Sequence, residues 1–333
     1  MLSHSTSSRL ALVLLVTIGT AVVGCMPRGV LLQPVSTNQE LVEKVLYSEG
    51  AFASDRVVVI DVEGLLLNAP APELLGEGEH AVSLLLEQLD KARRDKRVKG
   101  VVLRINSPGG TVTASELMHE EITRFRKDTG KPVVAVLMDV AASGGYYVAC
   151  ACDEIIAQKS TVTGSIGVIM QMFDLTGTMA KLGITGNAIT SGPNKAAGSP
   201  FARLTDDQRA IFQDIVDYLY DEFVAVVAAG RPDLDEAQVR ELADGRVYTA
   251  AQALDHKLID RLGTMRDAIA SAKTRSGAGK VRLVRYHRPL GYVATYHAAA
   301  PTRPGDINLI NFDLPNLWKL TTPQFLYLWA PTR

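Results

Sequence analysis

A chain of 333 residues, 47% of them hydrophobic, has enough apolar material to bury one substantial core without disulfides or metals. Its 35 Lys and Arg nearly balance 36 Asp and Glu, and no long basic run occurs. That balance argues against nucleic acid or an anionic surface as the main partner.

The N-terminus has an export layout. Arg9 precedes the apolar run Leu10 to Val23, which is followed by Gly24 and Cys25. The run is shorter than the roughly 20 residues of a spanning helix, so a cleaved signal over residues 1–24 is expected rather than a permanent transmembrane segment. Val22-Val23-Gly24-Cys25 resembles a bacterial lipobox, which makes Cys25 the expected lipidation site and first mature residue. The chain would then be exported and membrane-anchored, facing the extracytoplasmic side. Residues 25–54, rich in Pro, Ser and Gly, read as a membrane-proximal linker with one short helix at Asn38 to Tyr47.

Residues 55–276 read as the main folded domain. Arg56 to Val62 is a β-branched run bounded by polar residues, hence a buried strand. Val82, Leu85, Leu86 and Leu89 recur at helical spacing. A second round follows: a strand at Val101 to Ile105, a turn at Asn106-Ser-Pro-Gly-Gly110, a helix to about Lys127 and a strand at Val133 to Leu137. Strands alternating with helices predict an α/β fold with a mainly parallel sheet and a helical C-terminal part. A short helix is expected from Ser143, with strands at Glu154 to Ala157 and Ser165 to Met170. Thr205-Asp-Asp-Gln208 has the capping-box pattern and opens a long helix through Ala229, with Phe212, Ile215, Val216, Leu219, Phe223 and Val226 as its buried stripe. Shorter helices are expected at Leu234 to Leu242 and Thr249 to Leu254. Residues 277–333 lose clear periodicity and form a C-terminal extension. Its apolar run Phe325 to Trp329 fits an edge strand, an arm packing on a neighbouring subunit, or a tail near the active site. Cys150 and Cys152 are too close for a good disulfide and read as buried apolar filling. No metal or other cofactor is expected.

Two motifs carry chemistry. In Ala141-Ala-Ser143-Gly-Gly-Tyr146 a serine among small residues sits where a strand turns into a helix, which exposes a hydroxyl and favours negative charge nearby. A serine before Gly-Gly is otherwise most often a helix cap. Asn106-Ser-Pro-Gly-Gly110 follows a strand and frees amide hydrogens to point into a cleft, the geometry of an oxyanion hole, or else is a plain tight turn. Together the amides of Gly110 and Gly144 can grip one carbonyl oxygen.

A serine nucleophile needs a base, and none of the six histidines lies between His119 and His256. Lys195 stands alone in a loop of small residues, Thr190-Ser-Gly-Pro-Asn-Lys195-Ala-Ala-Gly-Ser-Pro200. Lysine titrates near 10.4 in water, so it serves as a base only where desolvation or nearby positive charge lowers that value. Apolar, charge-free surroundings suit Lys195 for this better than Lys159, after a strand, or Lys181, on a polar helical surface.

Asn106-Ser-Pro-Gly-Gly110, Ala141-Ala-Ser-Gly-Gly-Tyr-Tyr147, Thr163-Gly-Ser-Ile-Gly-Val168, Ser191-Gly-Pro-Asn-Lys195 and Asp244-Gly-Arg-Val-Tyr248 resemble the signal peptide peptidase A (protease IV) family, over roughly Val57 to Gly263. The separation of Ser143 and Lys195, 195 − 143 = 52 residues, resembles its short, single-repeat form. The resemblance implies a ClpP/crotonase-like ββα spiral, Ser143 as nucleophile, Lys195 as base and Ser165 as the hydroxyl orienting the lysine amine. It further implies a homo-oligomer whose active sites take residues from neighbouring subunits, and substrates that are released signal peptides and other apolar or unfolded segments. Rival readings are a crotonase-type acyl-CoA hydratase or isomerase, which needs catalytic carboxylates in the cleft, and an inactive membrane scaffold of the same fold. A Ser-His-Asp peptidase like the Clp proteolytic subunit lacks its histidine in the expected stretch.

Overall fold

Strand β2 (Asp55–Leu66) shows how the sequence pattern becomes a core. In the computed structural model, which describes residues 40–69, 72–73, 76–77, 80–288 and 324–329, successive buried side chains of β2 point to opposite faces of one sheet. Val58, Ile60 and Val62 enter the larger apolar cluster, and Val57 the smaller one behind it. The same two-residue period continues in β5 (Val98–Thr111), where Val101, Leu103 and Ile105 face one way and Val102 the other. In β6 (Val133–Ala142), Val133, Ala135 and Leu137 oppose Val134 and Val136. Strands apolar on both faces are what a parallel sheet covered by helices requires. The helices α1 (Ala81–Arg94), α2 (Val112–Thr129) and α3 (Gly144–Ala149) contribute Leu85, Leu89, Met118, Phe125 and Tyr146 to the larger cluster, while Ala268 and Ala272 of a helix near the C-terminal end cover the smaller one.

Parallel pairing joins β2 to β5, β5 to β6, and β6 to both β7 (Glu154–Ala157) and β8 (Val162–Gly164). The mainly parallel α/β architecture is therefore the expected one. A small hairpin of β3 (Pro72–Glu73) and β4 (Gly76–Glu77) stands apart from the main sheet. Beyond β9 (Ile169–Gln171) and the short helix α4 (Thr176–Lys181), α5 (Asp206–Gly230) starts with the predicted capping box: the Gln208 amide donates to Thr205 Oγ1 at 3.2 Å and the Thr205 amide to Gln208 Oε1 at 3.3 Å. Then come α6 (Glu236–Leu242), β10 (Val247–Thr249), α7 (Ala250–Asp255), β11 (Arg261–Leu262), α8 (Met265–Ser276), β12 (Val281–His287) and β13 (Gln324–Leu328).

Four expectations change. The helix expected at Asn38 to Tyr47 is a strand over its described part: β1 (Val42–Ser48) pairs antiparallel with β12, which pairs parallel with β2, so the sheet takes in strands on both sides of residues 55–276. The stretch Asn106 to Gly110 is no separate turn but the extended end of β5, kinked by a register shift between Ile105 and Ser107. The strand expected at Ser165 to Met170 is broken, with β8 ending at Gly164 and β9 starting at Ile169, because Ser165 takes φ 50°. The stripe of α5 is buried only at its C-terminal half, at Phe223, Val224 and Val227, while Ile211 and Ile215 stay exposed. The signal, Cys25 and most of the linker lie outside the described residues. Among the described residues no helix is long and apolar enough to cross a membrane. Cys150 and Cys152 are free and buried, and burial pushes the Cys150 thiol up to about 12, so the pair is inert filling.

The end of α5 is locked by one ion pair. Arg231, 7% exposed, grips Asp260 through both terminal nitrogens at 3.0 and 2.8 Å and donates from Nε to the Lys257 carbonyl at 2.8 Å, while Asp260 also accepts the Ile155 amide at 2.6 Å. Removing one partner of such a pair leaves the other uncompensated. The Asp260 side chain is 38% exposed, so water offsets part of the loss. Arg231→Ala is therefore expected to destabilise the fold by about 2–3 kcal/mol, read as a lowered urea midpoint with an unchanged slope.

Candidate active site

Parallel strands that end together deliver their following residues to one place, and β6 and β8 do so here. Ala142 pairs with Gly164, so the next residues, Ser143 and Ser165, leave adjacent strands side by side. The Ser143 amide donates to the Gly164 carbonyl at 2.7 Å. Both serines have positive φ, 53° and 50°, and among the described residues Lys257 is the one other non-glycine residue that does. Such backbone costs about 1–3 kcal/mol and persists only where the surroundings fix it. Ser143, with ψ −118°, departs from the extended geometry of a cap residue and makes no capping hydrogen bond with its side chain. The helix-cap reading of this serine thus fails on geometry, although the residue is only 1% exposed.

The Asp244–Tyr248 segment backs Ser165, a role that reading the motif alone did not find. The Ser165 amide donates to the Arg246 carbonyl at 2.7 Å and the Gly245 amide to the Ile166 carbonyl at 3.1 Å. Strand β10 pairs antiparallel with β8, and a Cβ on Gly164 would lie 2.6 Å from the Tyr248 ring.

Asn106 to Gly110 runs beside this turn. The Ser107 hydroxyl donates to the Gly64 carbonyl at 2.6 Å and accepts the Gly109 amide at 3.0 Å. Gly109 has φ 104°, and a Cβ there would stand 2.7 Å from the Gly144 amide nitrogen; a Cβ on Gly145 would stand 2.7 Å from the Ser107 carbonyl oxygen. Gly110 is buried with its Cα face against the Leu66 carbonyl, where a Cβ would collide. The two glycine motifs are therefore one packed unit, and the structure brings Gly110, Gly144, Ser143 and Ser165 together.

Lys195 does not join them within this one chain. It sits exposed in a loop whose turns are closed by backbone bonds such as Lys195 amide to Gly192 carbonyl at 3.2 Å, and no hydrogen bond links it to Ser143. Around it, Leu182, Ile184, Ile189 and Phe201 are exposed at 70, 53, 104 and 40%. A cleft of about 500 Å³ lies between β9 and residues 198–209, lined both by apolar side chains such as Ile169 and Leu204 and by charged ones, Asp174, Arg203 and Arg209.

Strand β13 lies between two strands, opposite Gly109–Thr111 of β5 on one side and Ile169–Gln171 of β9 on the other, antiparallel to both. Of the three placements open for Phe325 to Trp329, this is the tail near the active site. Tyr327 stacks on Tyr147 with centroids 5.1 Å apart and meets Phe223 at 4.6 Å, and its hydroxyl donates to the Leu219 carbonyl at 2.8 Å. The helical stripe predicts Phe223 as core; the ring contact with Tyr327 shows what it faces. His119 packs edge-on against Tyr147 at 5.2 Å, and burial, aided by the Arg126 charge, depresses its pKa to about 4.

Known proteins are similar to this chain over much of its length. The sequence profile described as peptidase family S49 matches residues 125–279. The chain is 35% identical over 249 residues to a putative signal peptide peptidase SppA of Enterococcus faecium, covering 75% of this chain and 71% of that protein. It is 34% identical over 221 residues to Protease 4 of Haemophilus influenzae, 66% of this chain but 34% of that longer one. Among solved structures, a mutant of the 1510-N membrane-bound stomatin-specific protease aligns over 67% of this chain and 86% of its own, with TM-score 0.44 and 14% identity.

Two outcomes follow from the geometry. Gly110→Ala forces a side chain into the Leu66 backbone and is expected to cost about 3 kcal/mol, read as a fall in thermal midpoint, whereas Gly130→Ala, at an open helix end with φ 63°, is expected to cost about 1 kcal/mol. For His119 the native pKa lies below the unfolded value near 6.5, so the stability held by the neutral ring is complete above about pH 6.5 and lost as pH falls towards 4. His119→Gln is expected to flatten urea midpoints across that window.

Proposed function

Because the chain belongs to peptidase family S49, the signal peptide peptidase A family, and is thus a serine-type protease, we propose that it cleaves apolar or unfolded peptides with a Ser143/Lys195 dyad. The observation that carries this reading is the buried turn at Ser143, strained, free of any capping bond and set against the glycines of β5. The strain has a use if the hydroxyl must face a bound carbonyl.

In the proposed reaction a neutral Lys195 amine takes the Ser143 proton while Oγ attacks the peptide carbonyl carbon. The oxyanion is held by the amides of Gly110 and Gly144. Collapse breaks the C–N bond, and the lysine ammonium gives its proton to the leaving amine. Water, deprotonated by the same lysine, then attacks the ester, releasing the acid and restoring the serine. Ser165, beside Ser143, would accept or donate a bond that fixes the lysine amine.

The base comes from assembly in this account. Lys195 is exposed in one copy, on a projection whose apolar side chains are uncovered, and a homo-oligomer would bury both, desolvating the amine as the chemistry requires. We place the substrates among released signal peptides and other unfolded apolar segments, in keeping with the names of the relatives the chain resembles. The export pattern of residues 1–25 supports a lipid tether at Cys25 and an extracytoplasmic, membrane-bound location.

The test is hydrolysis of a fluorogenic apolar peptide from about pH 6 to 10 by full-length wild type, Ser143→Ala and Lys195→Ala, each checked for assembly. Both variants are expected to lose about 10³-fold in kcat, with wild-type rate rising as one group deprotonates. Retention of most activity by Lys195→Ala would place the base elsewhere.

A further inference from the structure

The two serine turns are preceded by a single row of residues that crosses the sheet. Ser107 of β5 stands opposite Ala141 of β6, Ala141 opposite Thr163 of β8, and Thr163 opposite Tyr248 of β10. Two positions further along the first three strands come Gly109, Ser143 and Ser165. A shift at the row therefore moves the glycine wall and both serines relative to one another.

Hydroxyl groups tie the row on both sides of Ala141. The Ser107 hydroxyl holds β5 to Gly64 of β2. On the other side the Thr163 hydroxyl donates to the Ala141 carbonyl at 2.6 Å, and both residues are fully buried. This bond joins the two strands that end in Ser143 and Ser165, just short of both turns. Tyr248 holds β8 from its far edge: its ring covers Gly164, and its hydroxyl donates to the Leu242 carbonyl at 2.8 Å.

A separation of 2.6 Å is one that a hydroxyl keeps and a methyl cannot. Carbon approaches a carbonyl oxygen to about 3.3 Å, so an isosteric valine at position 163 has to part β6 and β8 by about 0.7 Å at this row. A nucleophile and its base tolerate little of this, since a displacement of about 1 Å can cost about 10²-fold in rate. Thr161 provides the contrast. Its buried hydroxyl donates to the Met138 carbonyl at 2.6 Å and so holds the same part of the sheet, but it lies ahead of the row rather than in it.

We propose that Thr163 is a positioning residue of the proteolytic site, whose hydroxyl bond to Ala141 fixes the spacing of Ser143 and Ser165 and with it the geometry in which the nucleophile meets its base. This rests on reading Ser143 as the nucleophile and Ser165 as the hydroxyl that orients the base. Thr163 acts through the backbone of the two turns, not by contact with the reacting atoms.

Full-length Thr163→Val, Thr163→Ser and Thr161→Val are compared with wild type by urea midpoint, by kcat and KM on the fluorogenic apolar peptide, and by hydrogen exchange of the Ser143 amide. The last reports the spacing without any turnover, because that amide is bonded to the Gly164 carbonyl. Both valine variants lose a buried bond and are expected to show similar falls in urea midpoint. Thr163→Val is expected to lose about 30-fold in kcat with KM within about twofold of wild type, and to exchange the Ser143 amide at least about 10-fold faster. Thr163→Ser, which keeps the bond, and Thr161→Val are expected to stay within about threefold of wild type on both measures. Wild-type kcat and exchange in Thr163→Val overturn the proposal, as does a Thr161→Val that loses as much, or a Thr163→Ser that restores neither. If Thr163→Val does not fold, Thr163→Ala, which removes the bond without parting the strands, is expected to lose about 10-fold in kcat, and wild-type kcat there overturns the proposal. Faster exchange in Thr163→Val, from a wild type that hydrolyses no peptide, leaves the positioning role standing and contradicts the protease reading. Hydrolysis that Ser143→Ala abolishes and Thr163→Val spares does the reverse.

Discussion

Gly109 stands so close to the Gly144 amide that it has no room for a side chain, and the rest of the site follows from that contact. For the backbone of one strand end to touch the start of the next helix, β5 and β6 must be parallel, in register from Val101–Val133 to Ile105–Leu137, and then slip between Ile105 and Ser107. The slip brings Ser107 opposite Ala141 and lets Ser107 hold both Gly64 and Gly109. Only then does Gly109 meet the Gly144 backbone, the placement from which the proposed oxyanion site at Gly110 and Gly144 is argued. The parallel sheet, the glycines and the positive φ of Ser143 are parts of one geometric requirement.

A second consequence concerns completeness. The sheet and its two apolar clusters are closed within the described residues, but the N-terminal half of α5 and the loop that carries Lys195 are not. Ile211, Ile215 and Tyr218 along α5 are exposed, as are Leu182, Ile184, Ile189 and Phe201 in the segment before it. An amphipathic helix whose stripe is half uncovered is one whose other half packs on something else. In the proposed function that something is another copy, which would also supply the missing base.

Much of this was legible in the sequence, for identifiable reasons. The central strands are apolar on both faces and bounded by polar residues, which is why Arg56–Val62, Val133–Leu137 and Glu154–Ala157 fell inside observed strands. Thr205 and Gln208 announced α5 because a capping box is a local device. Ser143, Gly110 and Gly144 were visible as small-residue motifs after strands, and the structure does bring them together. What was not legible depended on distant partners. Val42 to Ser48 is a strand only because β12 offers an edge some 240 residues later, 281 − 42 = 239. Phe325 to Trp329 had an apolar pattern compatible with several placements, and only pairing with β5 and β9 singles out one. The stripe of α5 predicted a buried face correctly in phase, but periodicity cannot say whether the cover is the same chain. Ser165 sits at a strand break that no local pattern marks, since its φ is set by Arg246 and Gly245 from a later motif.

The most direct measurement of the central claim is where a serine-acylating fluorophosphonate attaches on the intact chain, mapped by peptide mass spectrometry. The account predicts one modified residue, Ser143, with labelling lost on denaturation. A modified serine elsewhere, or a Ser143 that stays unlabelled, would contradict it.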